Sequence, residues 1–301
     1  MEPMAPGVGY MCRWCKTGSE TVGNSCPHCG APVDVKLVTT ASGWEKLPAI
    51  ADMTRLQIGQ SRVQIEGDFV PVADFTLAPG DGAYFSHDSI LWTDGNVALD
   101  AMSMKGGFKR LRGGLPLVLA QATGPGRIAL SHDRPGEIVA VPIHAGTSVD
   151  VHEHHFLAAT SNIAYEVEQT NVWFTTRNGD ERETHYPLGR YIDQFSSADG
   201  HGLLLLHAGG NAFIRNLAPG QTVLIKPPSL LYKDPSVMMY LHLEHPAASS
   251  VWGSWSSSVA NRYAWLRLSG PGRVCVQSQY EHFEDPGRAL VNQSTYTSTQ
   301  W

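Results

Sequence analysis

The chain has 301 residues, of which 42% are hydrophobic and 17% charged, and this is enough for one large or two modest domains with a proper core. Its formal net charge of -6 argues against a protein whose main work is to wrap nucleic acid, because no surplus of positive charge is present to neutralise phosphates. No run reaches the roughly 18 consecutive apolar residues of a membrane-spanning helix, and the first ten residues lack the charged and apolar parts of a signal peptide. We therefore expect a cytoplasmic protein.

Four of the five cysteines form two CxxC pairs near the N-terminus, Cys12 with Cys15 and Cys26 with Cys29. Each pair can wrap a tight turn around one metal, and two such turns offer the four thiolates that Zn2+ prefers in closed tetrahedral sites. The pattern predicts a zinc ribbon over residues 1–33 with one structural Zn2+ per chain, and metal binding would supply its folding free energy. The alternative, two disulfides, needs an oxidising compartment that nothing else in the sequence indicates.

The residue composition and hydrophobic pattern change twice after the predicted ribbon. Residues 34–58 mix Ser, Thr, Gly and Pro with isolated apolar residues, which predicts a linker. Residues 59–285 consist of short apolar runs, several of them alternating, that are punctuated by Gly and Pro, and this is typical of an all-β domain. The polar residues 286–301 are expected to form a disordered tail.

Short sequence motifs that are typical of turns recur along the predicted β domain. LAPG at residues 77–80 returns at residues 217–220, and a weaker DRPG occupies residues 133–136. Each phrase precedes an apolar strand, and GPGR turns follow at residues 124–127 and 270–273. A unit of strand, Gly turn, strand, Pro-Gly turn and strand is therefore predicted to recur about three times. This favours a β-sandwich or prism with pseudo-three-fold internal repeats.

The order of several phrases across residues 60–280 resembles the mitochondrial biogenesis family named for altered inheritance of mitochondria 24, and the layout resembles that of its bacterial members. The phrases are GPGRIAL, PGEIVAVPI, FLAAT, NLAPGQTVLI and SGPGRVCVQSQ. The resemblance implies a β-rich fold similar to the tryptophan RNA-binding attenuation protein, with a zinc ribbon in front of it in some bacterial members. It implies no catalytic residues.

A histidine-rich segment, GTSVDVHEHHF, departs from the family pattern. In a strand, His152 and His154 would share one face and could bind one metal, as in the His-ligated β-barrels of cupins. The rest of the cupin pattern is missing, although His144, His207 or His242 could add ligands from other strands. The segment therefore predicts a cupin-like metalloenzyme only as an alternative to polar residues on a solvated strand face or at a subunit contact.

Two segments carry side chains suited to contacts with partners. Residues 102–114 place basic and apolar side chains among glycines and could meet an anionic lipid surface, a nucleic-acid backbone or an acidic partner. Residues 247–260 set two tryptophans among small residues, which would form a contact patch if exposed and would close the end of the domain if buried. The predicted contact residues are Lys105, Phe108, Lys109, Arg110, Arg112, Trp252 and Trp255.

The sequence contains no GxSxG elbow, Walker loop, HExxH motif or dinucleotide fingerprint, so it offers no support for enzymatic activity or for a small-molecule substrate. We therefore expect a non-enzymatic scaffold or protein-interaction module beside a membrane, which self-associates or binds a protein complex and uses the zinc ribbon as a docking element. Nucleic-acid binding is a second alternative, which rests on the fold analogy alone.

Overall fold

A computed structural model describes most of the chain, and it divides into two compact units, residues 1–48 and 49–301. The described residues are 10–11, 15–19, 26–31, 43–47, 49–50, 52–102, 119–178, 181–198, 200–243 and 264–279. The short strands of the first unit are β1 (Tyr10–Met11), β2 (Gly18–Ser19) and β3 (Glu45–Lys46). β1 and β2 pair with each other in antiparallel orientation.

The second unit is mainly β, as predicted, and its only described helices are two 3-10 turns, His87–Ser89 and Pro227–Ser229. It begins with the hairpin β4 (Thr54–Ile58) and β5 (Ser61–Glu66). A first set of six strands follows: β6 (Val72–Leu77), β7 (Gly82–Ser86), β8 (Ile90–Thr93), β9 (Ala98–Ala101), β10 (Leu119–Thr123) and β11 (Gly126–Ser131).

A second set of six strands also contains an inserted hairpin, β16–β17. In chain order these strands are β12 (Gly136–Ile143), β13 (Thr147–His152), β14 (Phe156–Thr160), β15 (Ala164–Gln169), β16 (Phe174–Asn178), β17 (Glu181–His185), β18 (Tyr191–Ser197) and β19 (Gly202–Gly209). The third set comprises β20 (Ala212–Leu217), β21 (Thr222–Ile225), β22 (Leu230–Lys233), β23 (Met238–Leu243), β24 (Ala264–Ser269) and β25 (Gly272–Gln277).

One antiparallel pairing scheme describes all three sets. The last strand of each set pairs with the first and third strands, as β11 does with β6 and β8. The second-to-last strand pairs with the second and fourth, as β10 does with β7 and β9. Each set therefore supplies three strands to one sheet and three strands to another.

Two pairings join neighbouring sets, and we call them the closed seams. The second strand of the first set, β7, pairs with the third strand of the second set, β14. In the same way β13 pairs with β22 of the third set. The corresponding strands that remain, β8 and β21, each lie at the edge of a sheet in the described structure, and we call these two edges the open seam.

The hydrophobic core continues across the closed seam between the first and second sets. Strand β5 shows why, because its residues alternate between buried and more exposed positions, and Val63 and Ile65 point into this core. Full burial of such a side chain contributes about 1.5–3 kcal/mol. The buried core residues contributed by the second set are Ile138, Leu157, Ala158 and Leu205.

Two expectations about segment boundaries are corrected. The predicted linker ends at residue 58, but residues 54–58 form β4, whose Leu56 and Ile58 pack against the core. The phrase DRPG at residues 133–136 does not correspond to the LAPG turns, since it connects β11 to β12 and so joins two sets. A Pro-Gly pair indicates a turn. Strand pairing then determines whether that turn connects two strands of one set or joins two sets.

The two LAPG turns do occupy equivalent places, between the first and second strands of their sets. Gly80 and Gly220 have φ values of +84° and +78°, a left-handed conformation that favours glycine at the end of such a turn. In the second set the equivalent turn is formed by residues 144–146, which end in Gly146 with φ +74°. No helix in the described part of the chain has the length and apolar character needed to cross a membrane.

Candidate metal centre and open sheet edges

Three of the four predicted zinc ligands lie together in the first unit. The sulfur atoms of Cys15, Cys26 and Cys29 are all within 4.8 Å of one another. The amide of Gly30 donates to the carbonyl of Cys26 at 2.8 Å, which closes a tight turn between the last two cysteines. Cys26 is buried and Cys29 is exposed, so the cluster lies at the surface of the unit.

The spacing of the sulfurs fits one metal ion. The Sγ atoms of Cys15 and Cys26 are 3.8 Å apart, and two sulfurs bound to one tetrahedral Zn2+ at about 2.3 Å are also about 3.8 Å apart. A disulfide would require about 2.05 Å. Cys12, the predicted fourth ligand, lies outside the described residues. Among the residues that are described, this is the only group of three or more Cys, His, Asp or Glu with ligand atoms so close together.

The structure separates the two histidines that were proposed to share a strand face. Strand β13 ends at His152, and His154 lies in the following turn with φ +68°. The side chain of His154 is 68% exposed and its Nε2 atom lies 3.9 Å from Glu153. The strand-face argument for a metal bound by His152 and His154 is therefore wrong in its geometry, because alternation along a strand ends where the turn begins.

Two partly buried histidines of this segment, His152 and His155, instead bind backbone carbonyls. The Nδ1 atom of His152 lies 3.0 Å from the carbonyl oxygen of Leu230, across the closed seam between the second and third sets. The Nδ1 atom of His155 lies 2.9 Å from the carbonyl oxygen of His207, and Gln277 Nε2 lies 3.0 Å from His155 Nε2. Since a carbonyl can only accept, both Nδ1 atoms carry protons, and Nε2 of neutral His155 accepts from the amide of Gln277.

Burial determines the protonation of these rings. Desolvation lowers the pKa of His152 and of His207 to about 4, and it lowers the pKa of His155 well below its ordinary value. His207 also stacks on His132, with 4.5 Å between the ring centroids, which disfavours a second positive charge. The imidazoles of His152, His155 and His207 are thus neutral near pH 7, and their hydrogen bonds to carbonyls hold chain segments together.

A buried ion pair spans the same closed seam. Asp150 of β13 lies opposite Lys233 of β22, and the Nζ atom of Lys233 donates to Oδ2 of Asp150 at 2.6 Å. Both residues are less than one-tenth exposed. The other carboxylate oxygen accepts from Gln194 at 3.0 Å, so the charges are both paired and hydrogen-bonded.

The open seam differs from the closed seams in the burial of its strands. Strands β14 and β22 are almost wholly buried, whereas in β8, the third strand of the first set, Leu91 is 59% and Trp92 39% exposed. Strands β7 and β13 have buried centres, whereas Leu224 in β21 is 45% exposed. Two apolar strand edges therefore face solvent, and sequence reasoning did not identify them.

The predicted contact residues between 105 and 112 and both Trp252 and Trp255 lie outside the described residues. What the structure gives is their place in the chain: residues 103–118 connect β9 to β10, and residues 244–263 connect β23 to β24. These are the same connection, fourth strand to fifth, in the first and third sets. In the second set that connection contains the hairpin β16–β17.

Comparison with known proteins gives a family and a fold. The family model described as Mitochondrial biogenesis AIM24 matches residues 63–279. Among solved structures, the protein SPYM3_0169 from Streptococcus pyogenes is similar, with a TM-score of 0.55 and 19% identity, over 79% of this chain and 100% of that chain. A search of curated proteins gives no match. At this identity the structural likeness concerns the fold alone.

Proposed function

Because the chain belongs to the Mitochondrial biogenesis AIM24 family, whose description names a process and no reaction, we propose that it is a non-enzymatic scaffold that assembles with further copies of itself through the open seam. The observation that carries this proposal is the exposure of two apolar strand edges, β8 and β21. An exposed strand edge presents unpaired N–H and C=O groups and is a template for pairing with another chain.

A second copy is the occupant that the pairing scheme favours. At both closed seams a second strand of one set pairs with a third strand of another set. At the open seam β8 is a third strand and β21 is a second strand, so the β8 edge of one copy matches the β21 edge of another. The same antiparallel pairing would then bury Leu91, Trp92 and Leu224, and it would remove both edges from solvent.

Charge variants test this assembly by size-exclusion chromatography with light scattering. Wild-type protein is expected to run as an oligomer of the 32.7 kDa chain, and either Leu91→Glu or Leu224→Glu is expected to give monomers, because a carboxylate would be buried between apolar strands. Leu99→Glu is the matched control, since Leu99 is 43% exposed on a different strand, β9. The control variant should keep the wild-type mass.

A mixing experiment distinguishes this pairing from other contacts. Leu91→Lys and Leu224→Glu are each expected to be monomeric alone, and an equimolar mixture should recover the oligomer, because the lysine of one chain then meets the glutamate of the other. A monomeric wild type would contradict the proposal. Recovery by Leu91→Lys with Leu91→Glu instead would also contradict it, since that result requires β8 to pair with β8.

We also propose that the first unit binds one structural zinc ion. The support is the fit of three sulfurs to one tetrahedral ion. Metal analysis of protein purified without added metal should give about one zinc per chain, and Cys26→Ser should abolish it. Cys275→Ser is the control, because Cys275 is buried in β25 and burial raises its pKa to about 12, so it is a poor metal ligand. Zinc retained by Cys26→Ser would contradict the assignment.

A further inference from the structure

Two exposed histidines outside the sites described above face each other in the second set. His144 follows β12 and His201 precedes β19, and their Nδ1 atoms are 2.9 Å apart with the rings nearly perpendicular. The paired strands end with Ile143 opposite Gly202. The two histidines are therefore the next cross-strand pair of that ladder, a position in which side chains on the same face are close neighbours.

The backbone on both sides of the pair is anchored. Thr147 binds His144 through its side chain in both directions, accepting from the His144 amide at 3.1 Å and donating to its carbonyl at 2.8 Å. Asn162 donates to the carbonyl of His201 at 3.0 Å. The separation of the two rings is thus set by anchored turns at the end of a ladder, although the rings themselves are exposed.

The equivalent positions in the other two sets show that imidazoles are not needed for the fold. The ladder of β6 with β11 ends with Leu77 opposite Gly126, and the ladder of β20 with β25 ends with Leu217 opposite Gly272. The next residues are alanine and proline in both cases: Ala78 and Pro125, and Ala218 and Pro271. Two histidines at this junction are a feature of the second set alone.

We propose that His144 and His201 form a surface site for a divalent late transition metal, copper(II) or nickel(II), bound through both Nδ1 atoms and completed by water. Two imidazole nitrogens completed by water oxygens form the mixed N,O donor set that is typical of tetragonal copper(II) and nickel(II) sites. The two Nδ1 atoms are 2.9 Å apart, so a small rotation of the exposed rings would let both bind one ion.

The proton balance of binding follows from the pair. Two Nδ1 atoms at hydrogen-bond distance share one proton, because one must donate and the other accept. Each neutral ring carries one proton, and the ring that donates holds it on Nδ1. When the metal ion binds, this proton moves through water to Nε2 of the same ring, so both rings bind through Nδ1 with a proton on Nε2 and the neutral pair loses no proton.

Titration with Ni2+ tests the site, because Ni2+ does not oxidise the ribbon thiols. We expect zinc-loaded protein without an affinity tag to bind one equivalent of Ni2+ in isothermal titration calorimetry. His144→Ala and His201→Ala should each weaken binding by about tenfold or more. His242→Ala, which removes an exposed histidine from β23, is the control and should bind like wild type.

Two further measurements keep the outcome clear. Zn2+ should bind this pair more weakly than Ni2+, and thermal unfolding without metal should be unchanged in His144→Ala and His201→Ala, which would show that a loss of binding is not a loss of fold. Equal Ni2+ affinity in wild type and His144→Ala would overturn the proposal, and so would a wild type that binds no Ni2+ beyond the ribbon. Neither result depends on whether the open seam mediates assembly.

Discussion

The closed and open seams contain strands of the same kind in different surroundings. The third strands FLAAT, LLYK and ILWT are all mainly apolar, yet the first two are buried and the last is largely exposed. Composition therefore does not explain the exposure of β8. The difference is a missing neighbour, since β14 and β22 each have a strand on both sides and β8 has one only on one side. A third strand is therefore buried when a strand of another set pairs with it.

The largest effect on the free energy of unfolding is expected from removal of Lys233, the lysine of the buried ion pair at a closed seam. Lys233→Met leaves the carboxylate of Asp150 buried with only the amide of Gln194 beside it. The free energy of unfolding should fall by about 3–5 kcal/mol. Urea unfolding at pH 7, followed by tryptophan fluorescence, measures this change.

The matched control for that variant removes both charges. Lys233→Met combined with Asp150→Leu should be clearly more stable than Lys233→Met alone, because no unpaired charge is then buried. A single variant within about 1 kcal/mol of wild type would mean that the closed seam does not depend on this pair. It would also weaken the contrast between the two kinds of seam.

A graded effect, smaller for each pH unit, is expected from acid at His152 on this closed seam and at His207 within the second set. His152 and His207 have pKa values lowered from 6.5 to about 4 by burial, so the folded state resists protonation that the unfolded chain accepts. The free energy of unfolding should therefore fall as the pH drops from about 6.5 to about 4, by up to about 1.4 kcal/mol per pH unit for each histidine. Above pH 7 these groups should have no effect.

Urea unfolding between pH 4 and pH 8 measures this slope. His207→Gln is the informative variant, since an amide can still donate to the carbonyl of Arg134 but cannot titrate. Its slope below pH 6.5 should be shallower than that of wild type. An unchanged slope would show that the acid sensitivity belongs to other groups.

The smallest effect on the stability of the isolated chain is expected at the open seam. Leu91→Glu and Leu224→Glu change exposed side chains, so the free energy of unfolding of the monomer should change by no more than about 0.5 kcal/mol. Dilute samples, in which the wild type is also dissociated, are needed for this measurement. A loss of several kcal/mol would show that the β8 and β21 edges are buried within one chain.

Much of the fold could be predicted because its signals are local. Alternation in SRVQIEG places Val63 and Ile65 on one face of a strand, and the LAPG turns require a left-handed glycine wherever they occur. The CxxC spacing brought Cys15, Cys26 and Cys29 together in the prediction as in the structure. Each of these inferences depends on a few neighbouring residues, so contacts with distant parts of the chain have little influence on it.

The remaining features depend on pairs that are distant in sequence. Alternation predicted that the strand through His152 continues to His154, but a turn intervenes there because β13 and β14 belong to different sheets. The open seam depends on which sets pair, and no short pattern encodes that choice. His144 was noted as a candidate ligand without a partner, since His201 becomes its neighbour only through the register of β12 with β19.

The connection from fourth to fifth strand has a practical consequence. It differs in length and content among the three sets, while the same ladder pairs the strands on either side of it each time. Foreign peptides, fluorophores or affinity handles grafted at these junctions should therefore leave the body folded, provided that in the second set they are placed between β16 and β17, because Val172, Phe174 and Leu188 of that connection are buried. The protein could then carry three separate cargoes on a single chain, and engineering could begin from that tolerance.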